Sequence, residues 1–189
     1  AGLLVLPELC LTGYTAGDLF LQSELQEGAL RALSRLLSET RELPLLIVLG
    51  LPLSFSGKLY NCAAVLHRGR VLGLVPKKNL PNYSEFYERR WFSPAEDEIF
   101  EYLYRDPLTK DRCSLPFGMR LLFQAEDLPD FCLALELCED LWVPNPPSTE
   151  HAAAGAYLIA NCSASDETVG KADYRRELLR SASARICAA

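Results

Sequence analysis

The run Pro44-Leu-Leu-Ile-Val-Leu-Gly-Leu-Pro-Leu53 is continuously apolar, and two more apolar runs, at 59–66 and 71–75, follow it closely. Each run has the length and composition of a buried β-strand. The connections at 54–58 and 67–70 are far shorter than the dozen or more residues that a parallel crossover needs. The three strands must therefore be antiparallel neighbours. This excludes a purely parallel doubly wound sheet and leaves mixed sheets covered by helices.

Further strands and helices are predicted on both sides of this stretch. A strand near 2–6 leads through a turn to a helix near 22–41, whose apolar side chains recur at helical spacing. Residues 79–116 are polar, aromatic and rich in turn formers, and they predict a long loop region with short helices that borders a site. The remaining elements are predicted as strands at 120–123, 131–137 and 156–161 and as helices near 148–154 and 171–187.

The composition is typical of one globular domain with a substantial core. The chain has 189 residues, of which 49% are hydrophobic and 23% are charged, and its net charge is −6. The negative charge argues against a nucleic-acid partner or an anionic membrane surface, and no apolar stretch reaches the roughly 18 residues of a membrane helix. The chain lacks an initiating Met and opens inside a strand pattern. We therefore expect a domain over 1–189 that is truncated at its N-terminus and belongs to a longer polypeptide.

The seven cysteines have the distribution of reduced thiols. They form no C-x-x-C pair and the two histidines are isolated, so no metal site is expected. Cys132 and Cys138 lie on one predicted strand, roughly 20 Å apart in extended form, which is too far for a disulfide. This usage indicates a cytoplasmic protein in which most thiols are core side chains and one could be a nucleophile.

Three apolar runs end in side chains that could carry chemistry, namely Glu8, Lys77 and Cys138. Open α/β sheets bind ligands beyond the carboxyl ends of their strands, so a carboxylate, an ammonium and a thiol could meet in one pocket. Each residue also has a plainer interpretation, as a loop acid, a solvated Lys77-Lys78 turn or a core thiol. Because both faces of the strand at 71–75 are apolar, its alternation does not decide which lysine points inward.

Five segments closely resemble the nitrilase-like glutaminase domain of bacterial glutamine-dependent NAD(+) synthetases. They are Leu6-Pro-Glu-Leu-Cys-Leu-Thr-Gly-Tyr14, Leu59-Tyr-Asn-Cys-Ala-Ala-Val65, Pro76-Lys-Lys-Asn-Leu-Pro-Asn-Tyr-Ser-Glu-Phe-Tyr-Glu-Arg-Arg-Trp-Phe92, Glu136-Leu-Cys-Glu-Asp-Leu-Trp-Val-Pro144, and Ile159-Ala-Asn-Cys-Ser-Ala-Ser-Asp-Glu167 followed by Gly170-Lys-Ala-Asp-Tyr-Arg-Arg176. They occur in order and cover almost the whole chain. The Pro-Glu-x-x-x-x-Gly-Tyr pattern is shared by the nitrilase superfamily at large, whereas the patterns around Tyr83 and Cys138 are much more specific to the synthetase branch.

The resemblance implies an α/β fold, a nitrilase-like four-layer αββα sandwich with mixed sheets, and a Glu-Lys-Cys triad. The triad falls on Glu8, Lys77 and Cys138. The family's lysine precedes x-x-Leu, which selects Lys77 over Lys78 because Leu80 lies three residues on. The other implied site residues are Tyr14, Tyr83, Glu139 and Ser165 for holding the substrate and Glu88 for orienting Lys77 or Tyr83.

The reaction that the resemblance implies is hydrolysis of the glutamine side-chain amide through a cysteine thioester. The ammonia would serve ATP-dependent amidation of deamido-NAD in a covalently linked C-terminal synthetase domain. ATP and Mg²⁺ would belong to that second domain, and this domain would need no cofactor or metal. The resemblance also implies a homo-oligomer. Two alternatives stay open: a stand-alone nitrilase-type hydrolase of another small amide or nitrile, and a noncatalytic scaffold.

Overall fold

The strands and helices of the computed structural model, which describes residues 2–189, follow the order anticipated from the sequence with one exception. The strands are β1 Leu3–Val5, β2 Leu46–Phe55, β3 Lys58–His67, β4 Arg70–Pro76, β5 Phe100–Arg105, β6 Arg112–Phe117, β7 Leu122–Gln124, β8 Cys132–Leu137 and β9 Leu158–Cys162. The helices are α1 Ser23–Glu39, α2 Pro147–Ala153 and α3 Lys171–Ile186. Among the described residues, no helix is both long and apolar enough to cross a membrane.

The strands form two mixed sheets, as the short connections and the resemblance predicted. The large sheet has the order β1-β2-β3-β4-β6-β5, and the small sheet has the order β7-β8-β9. The pairs β2–β3 and β3–β4 are antiparallel, which confirms the prediction from their short loops. The pairs β1–β2, β4–β6 and β8–β9 are parallel.

One apolar core lies between α1 and the large sheet. Leu33 and Leu37 of α1 pack in the same cluster as Ile47 and Leu49 of β2. The side chain between them in β2, Val48, points to the opposite face and packs against the small sheet. Because successive side chains of a strand alternate between faces, a strand that is apolar throughout is covered on both sides.

The small sheet completes the layered arrangement. Leu133, Leu135 and Leu137 of β8 face the large sheet and form the second core. On the opposite face of β8, Glu136 accepts a hydrogen bond from the α2 backbone at Ser148 N, at 3.2 Å, and α3 also lies on this face. The order of layers is therefore α1, large sheet, small sheet, then α2 with α3, which is the four-layer αββα sandwich that the resemblance implies.

The prediction of a loop over 93–116 is wrong, because β5 and β6 form an antiparallel hairpin there. Exposed positions alternate in β5, but the first three residues of β6 are all exposed and Pro116 interrupts its apolar residues, so β6 has no clear strand pattern. Asp106 closes the turn between them by accepting hydrogen bonds from the backbone N–H groups of Leu108 and Thr109, both at 2.8 Å. The expected turn over 7–18 likewise contains a short 3₁₀ helix, Tyr14–Leu21.

Gly50 in β2 lets the turn after β1 lie directly on the large sheet. A methyl group at Gly50 would lie 2.2 Å from the backbone nitrogen of Leu9 and 2.7 Å from the carbonyl carbon of Glu8. The Gly50 carbonyl accepts a hydrogen bond from Leu11 N at 3.2 Å. The backbone that carries Glu8 is thus seated on β2 at a position where only glycine fits.

We expect Gly50→Ala to lower the free energy of unfolding by about 1–3 kcal/mol, the usual cost of overpacking. The clash is with backbone atoms, so a side-chain rotation cannot relieve it. Gly28→Ala is the matched control, because its added methyl group meets nothing closer than 3.8 Å. In the middle of α1, that change should raise stability by about 0.5–1 kcal/mol. Urea denaturation of both variants checks the prediction, and equal effects would contradict it.

Candidate active site

The ends of three strands bring Glu8, Lys77 and Cys138 to one place between the two sheets. Glu8 lies in the turn after β1, Lys77 directly follows β4, and Cys138 directly follows β8. Lys77 N donates a hydrogen bond of 2.8 Å to the carbonyl oxygen of Asn61 in β3, which fixes the lysine at the end of the antiparallel ladder. The convergence anticipated from strand ends is present in the structure.

Lys77 is the centre of a buried three-residue ion cluster. Its Nζ lies 2.6 Å from Oε1 of Glu8 and 2.6 Å from Oε1 of Glu88, and the three side chains are at most 1% exposed. Lys78 instead points outward and pairs with Asp97 at the surface. The structure therefore places Lys77, rather than its neighbour, inside the molecule.

In this cluster, burial and charge pairing shift the pKa of Lys77 in opposite directions. Burial alone would lower the pKa of Lys77, but the carboxylates of Glu8 and Glu88 outweigh it and hold that pKa above its usual value. Burial raises the pKa of Glu88, against the opposing effect of Lys77. The ammonium of Lys77 is thus a fixed positive charge at neutral pH, and it stabilises the neighbouring carboxylates of Glu8 and Glu88.

Further hydrogen bonds hold the two carboxylates in place. Asn61 Nδ2 donates to Glu8 Oε1 at 2.7 Å and lies 3.4 Å from Glu88 Oε2. Ala164 N donates to the other oxygen of Glu8, Oε2, at 3.2 Å. Tyr14 OH donates to Glu88 Oε1 at 2.7 Å, and burial and the nearby carboxylates raise the pKa of Tyr14. Tyr14 is therefore a neutral donor that orients Glu88.

Cys138 occupies a strained turn at the end of β8. Its φ of 43° lies in the left-handed region, which is uncommon for residues other than glycine. Its backbone N–H donates to Asn161 Oδ1 at 3.1 Å, and Ser163 Oγ donates to its Sγ at 3.3 Å. The residue is 7% exposed. The sulfur is therefore mostly buried, with the polar Ser163 hydroxyl as a direct neighbour.

The sulfur of Cys138 is a neutral thiol at rest. Burial and the Glu8 carboxylate raise its pKa, Lys77 and Ser163 act in the opposite direction, and the resulting pKa is about 11. The amide of Ala164, which donates a hydrogen bond to Glu8 Oε2, also lowers the pKa of Cys138. The Glu8 carboxylate, which could accept a proton, is thus close enough to the thiol to act on its pKa.

Two of the residues expected to hold a substrate, Tyr83 and Glu139, line a cavity of about 730 Å³ next to the Cys138 segment; Glu8, Lys77 and Cys138 do not line it. The Tyr83 hydroxyl donates to the Glu139 carboxylate, whose two oxygens lie 3.1 Å and 3.0 Å away. Burial and the Glu139 carboxylate raise the pKa of Tyr83 to about 12. Tyr14 binds Glu88 instead, and Ser165 is half-buried in the segment after β9.

Several site residues were not singled out from the sequence. Asn61 interrupts an otherwise mostly apolar buried strand, a signal that could have identified it. Ser163 directly follows β9, as the triad residues follow their own strands. Asn161 and Asp140 contact backbone on neighbouring segments, and no local pattern indicates such contacts.

Comparisons with known proteins agree with these observations. The model of the carbon-nitrogen hydrolase family matches residues 1–186. The glutamine-dependent NAD(+) synthetase of Mycobacterium tuberculosis (strain ATCC 25618 / H37Rv) is 48% identical over 189 residues, which are 100% of this chain and 27% of that protein. The enzyme of the same name from Aquifex aeolicus is 32% identical over 179 residues, 95% of this chain and 27% of its own length.

Solved structures extend the likeness to the fold. The crystal structure of a glutamine-dependent NAD(+) synthetase from Cytophaga hutchinsonii matches with a TM-score of 0.84 and 32% identity, over 100% of this chain and 29% of that one. Nit3 of Saccharomyces cerevisiae, a member of branch 10 of the nitrilase superfamily, matches with a TM-score of 0.70 at 16% identity, over 100% of this chain and 60% of that one, and supports the fold alone. The chain therefore spans little more than a quarter of the length of its synthetase relatives.

We expect Lys77→Met to lower the free energy of unfolding by about 3–5 kcal/mol at neutral pH, because two buried carboxylates then face each other without a cation. In the variant, Lys77 no longer opposes the effect of burial, so the folded-state pKa of Glu88 would exceed its unfolded-state value. Stability should therefore be highest below about pH 4 and fall as the pH rises through the raised pKa. Chemical denaturation at several pH values measures this.

Lys78→Met is the matched control for this substitution, because its partner Asp97 is at the surface. It should change stability little at any pH. A similar loss in both variants, or a Lys77→Met protein that is more stable at pH 7 than at pH 4, would contradict the role of the buried ammonium.

Proposed function

This chain belongs to the carbon–nitrogen hydrolase family, and on that premise we propose that it hydrolyses the side-chain amide of glutamine through a thioester on Cys138. The observation that carries the proposal is the convergence of the three groups: Lys77 Nζ lies 2.6 Å from Glu8 Oε1, and both charges act on the pKa of the Cys138 thiol. A nucleophile beside a base that is oriented by a third group is the arrangement that covalent catalysis requires. Here Lys77 is that third group.

In the first half-reaction, Glu8 accepts the proton of the Cys138 thiol while Sγ forms a bond to the carboxamide carbon. A thiol whose pKa lies near 11 needs such a base at neutral pH. The negative charge that develops on the carboxamide oxygen is stabilised by Lys77 Nζ and by the backbone N–H of Glu139. Such donors are effective because they are in place before the charge develops.

The first half-reaction ends when the protonated Glu8 gives its proton to the departing nitrogen, the carbon–nitrogen bond breaks and ammonia leaves the thioester behind. In the second half-reaction, a water molecule attacks the thioester carbon as Glu8 takes one of its protons. The carbon–sulfur bond breaks, Glu8 returns that proton to the sulfur, and glutamate is released. Glu8 therefore acts alternately as base and acid, and three hydrogen-bond donors keep its carboxylate oriented in both steps.

We assign recognition of the glutamine backbone to the mouth of the site. Glu139 offers a carboxylate for the α-ammonium group, and Tyr83 orients that carboxylate through its hydroxyl. Charge pairing of this kind selects an amino-acid amide over an uncharged amide. Ser165 is proposed to contact the substrate from the segment after β9, and Tyr14 to act through Glu88.

We further propose that the ammonia is used by a covalently linked synthetase domain that amidates deamido-NAD. The relatives named above are NAD(+) synthetases several times longer than this chain, which supports the proposal. ATP and Mg²⁺ would be bound by that second domain. The reduced state of the cysteines supports a cytoplasmic setting, and a homo-oligomer stays a prediction from the resemblance.

We expect Cys138→Ala to abolish glutamine hydrolysis in the natural-length protein while leaving the unfolding temperature within a few degrees of the wild type. The substitution removes only one sulfur atom at the edge of the core, so the fold should persist. Ammonia release is the activity measurement. Mass spectrometry of the wild type mixed with glutamine should show a glutamyl adduct on the peptide that contains residue 138.

Cys132→Ala is the control, since this cysteine lies at the other end of β8 and is also buried. It should keep wild-type glutaminase activity. Ammonia release by Cys138→Ala, or an adduct on any other cysteine, would end the proposed mechanism.

We expect Tyr83→Phe to raise the KM for glutamine about 3- to 10-fold and to leave kcat within a factor of about two. The change removes one hydrogen bond to Glu139, worth about 1 kcal/mol, at a distance from the reacting atoms. Tyr87→Phe is the control, because Tyr87 is 57% exposed and lies in the same loop. Steady-state kinetics distinguish the two, and a fall in kcat without a change in KM would contradict the assignment.

A further inference from the structure

Asp140 is a buried carboxylate that the proposed reaction does not use. It lies in the short 3₁₀ helix Cys138–Leu141 and is 2% exposed. Its Oδ2 accepts a hydrogen bond from Leu137 N at 3.0 Å. Its Oδ1 accepts two more, from Asn79 N at 2.7 Å and from Asn79 Nδ2 at 2.8 Å. All three partners are donors, so the ionised carboxylate is fully satisfied there.

These hydrogen bonds join two segments that belong to different sheets. Leu137 is the last residue of β8 in the small sheet, and Asn79 follows β4 in the large sheet. Leu137 precedes Cys138 by one residue, and Asn79 follows Lys77 by two. The Asp140 carboxylate is therefore a direct bridge between the segment that carries the nucleophile and the segment that carries the ammonium.

Local capping alone does not account for this arrangement. A cap of the Cys138–Leu141 helix requires only the bond from Leu137, whereas both bonds to Oδ1 come from the Lys77 segment. Asp140 has no salt-bridge partner among the described residues, and burial raises its pKa to about 6 against the effect of its N–H donors. Burial of this carboxylate costs free energy, and its three directional hydrogen bonds offset that cost.

Apolar packing between the two sheets is not directional, so it does not set the distance between two side chains to a fraction of an ångström. The left-handed backbone of Cys138 must also be held from outside. We propose that Asp140 is a positioning residue that fixes the Cys138 sulfur relative to the Lys77 ammonium. The inference rests on the proposed function, in which those two groups act on the same carboxamide.

The test is Asp140→Asn in the natural-length protein. The amide side chain keeps the size of the original but replaces one acceptor oxygen by an NH₂ group, which then faces a backbone N–H donor. We expect kcat for glutamine to fall by about 100-fold, the effect of a small misplacement of reacting groups, while KM changes less than about threefold. Alkylation of Cys138 by iodoacetamide, followed on its own peptide by mass spectrometry, should slow in parallel because Lys77 no longer favours the thiolate.

Two further variants complete the experiment. Asn79→Ala removes only the Nδ2 bond and should give a smaller fall in kcat and in alkylation rate, again with KM nearly unchanged. Asp97→Asn makes the same chemical change at the surface partner of Lys78, and it should match the wild type in all three measurements. If Asp140→Asn does not fold, Asn79→Ala decides the question by itself.

The kcat and alkylation rates of the variants test the Asp140 bridge, whereas glutamine hydrolysis by the wild type tests the proposed function. Wild-type kcat and alkylation rates in the Asp140 and Asn79 variants would overturn the bridge, and so would a rise in KM with kcat unchanged. If the wild type does not hydrolyse glutamine, the proposed function fails. The alkylation rates, which need no substrate, then still support or overturn the bridge.

Discussion

The structure depends on one buried ammonium shared by two carboxylates. Lys77 lies 2.6 Å from both Glu8 and Glu88, with all three side chains essentially excluded from solvent. Removing a charge from water is costly, and the loss is offset only where geometry and pairing are good. The three residues come from different segments, so the cluster forms only when the ends of β1 and β4 and the loop that carries Glu88 have come together. Folding of this region therefore also assembles the charged site.

The large sheet is built to make that assembly possible. The antiparallel register of β3 and β4 brings Asn61 beside Lys77, and a backbone hydrogen bond closes the pair. Asn61 then donates to Glu8, whose turn lies on Gly50 of the adjacent strand. Small residues and short loops in this region thus have a direct consequence for the positions of the charged groups.

Much of this arrangement could be predicted from the sequence, for identifiable reasons. Short connections required antiparallel strands, and strand ends indicated where Glu8 and Cys138 would lie. The choice between Lys77 and Lys78 was open because β4 is apolar on both faces. The structure shows why Lys77 is the inward lysine. Val75 faces the small sheet, and Lys77, two residues further along, lies on the same face. The β5–β6 hairpin is not evident from the sequence because β6 exposes three residues in a row and contains Pro116. The contacts of Asn61 are not evident either, because they join segments distant in sequence.

The same ion cluster explains how the thiol would be kept inactive until substrate arrives. Burial and the Glu8 carboxylate of that cluster raise the pKa of the Cys138 thiol, the Lys77 ammonium lowers it, and the resulting value is about 11. Oxidation and alkylation require the thiolate, so the resting sulfur is protected. In the proposed reaction, transfer of the thiol proton to Glu8 neutralises one carboxylate. Lys77 then has a single acidic partner left, and its charge becomes available to the oxyanion as that oxyanion forms.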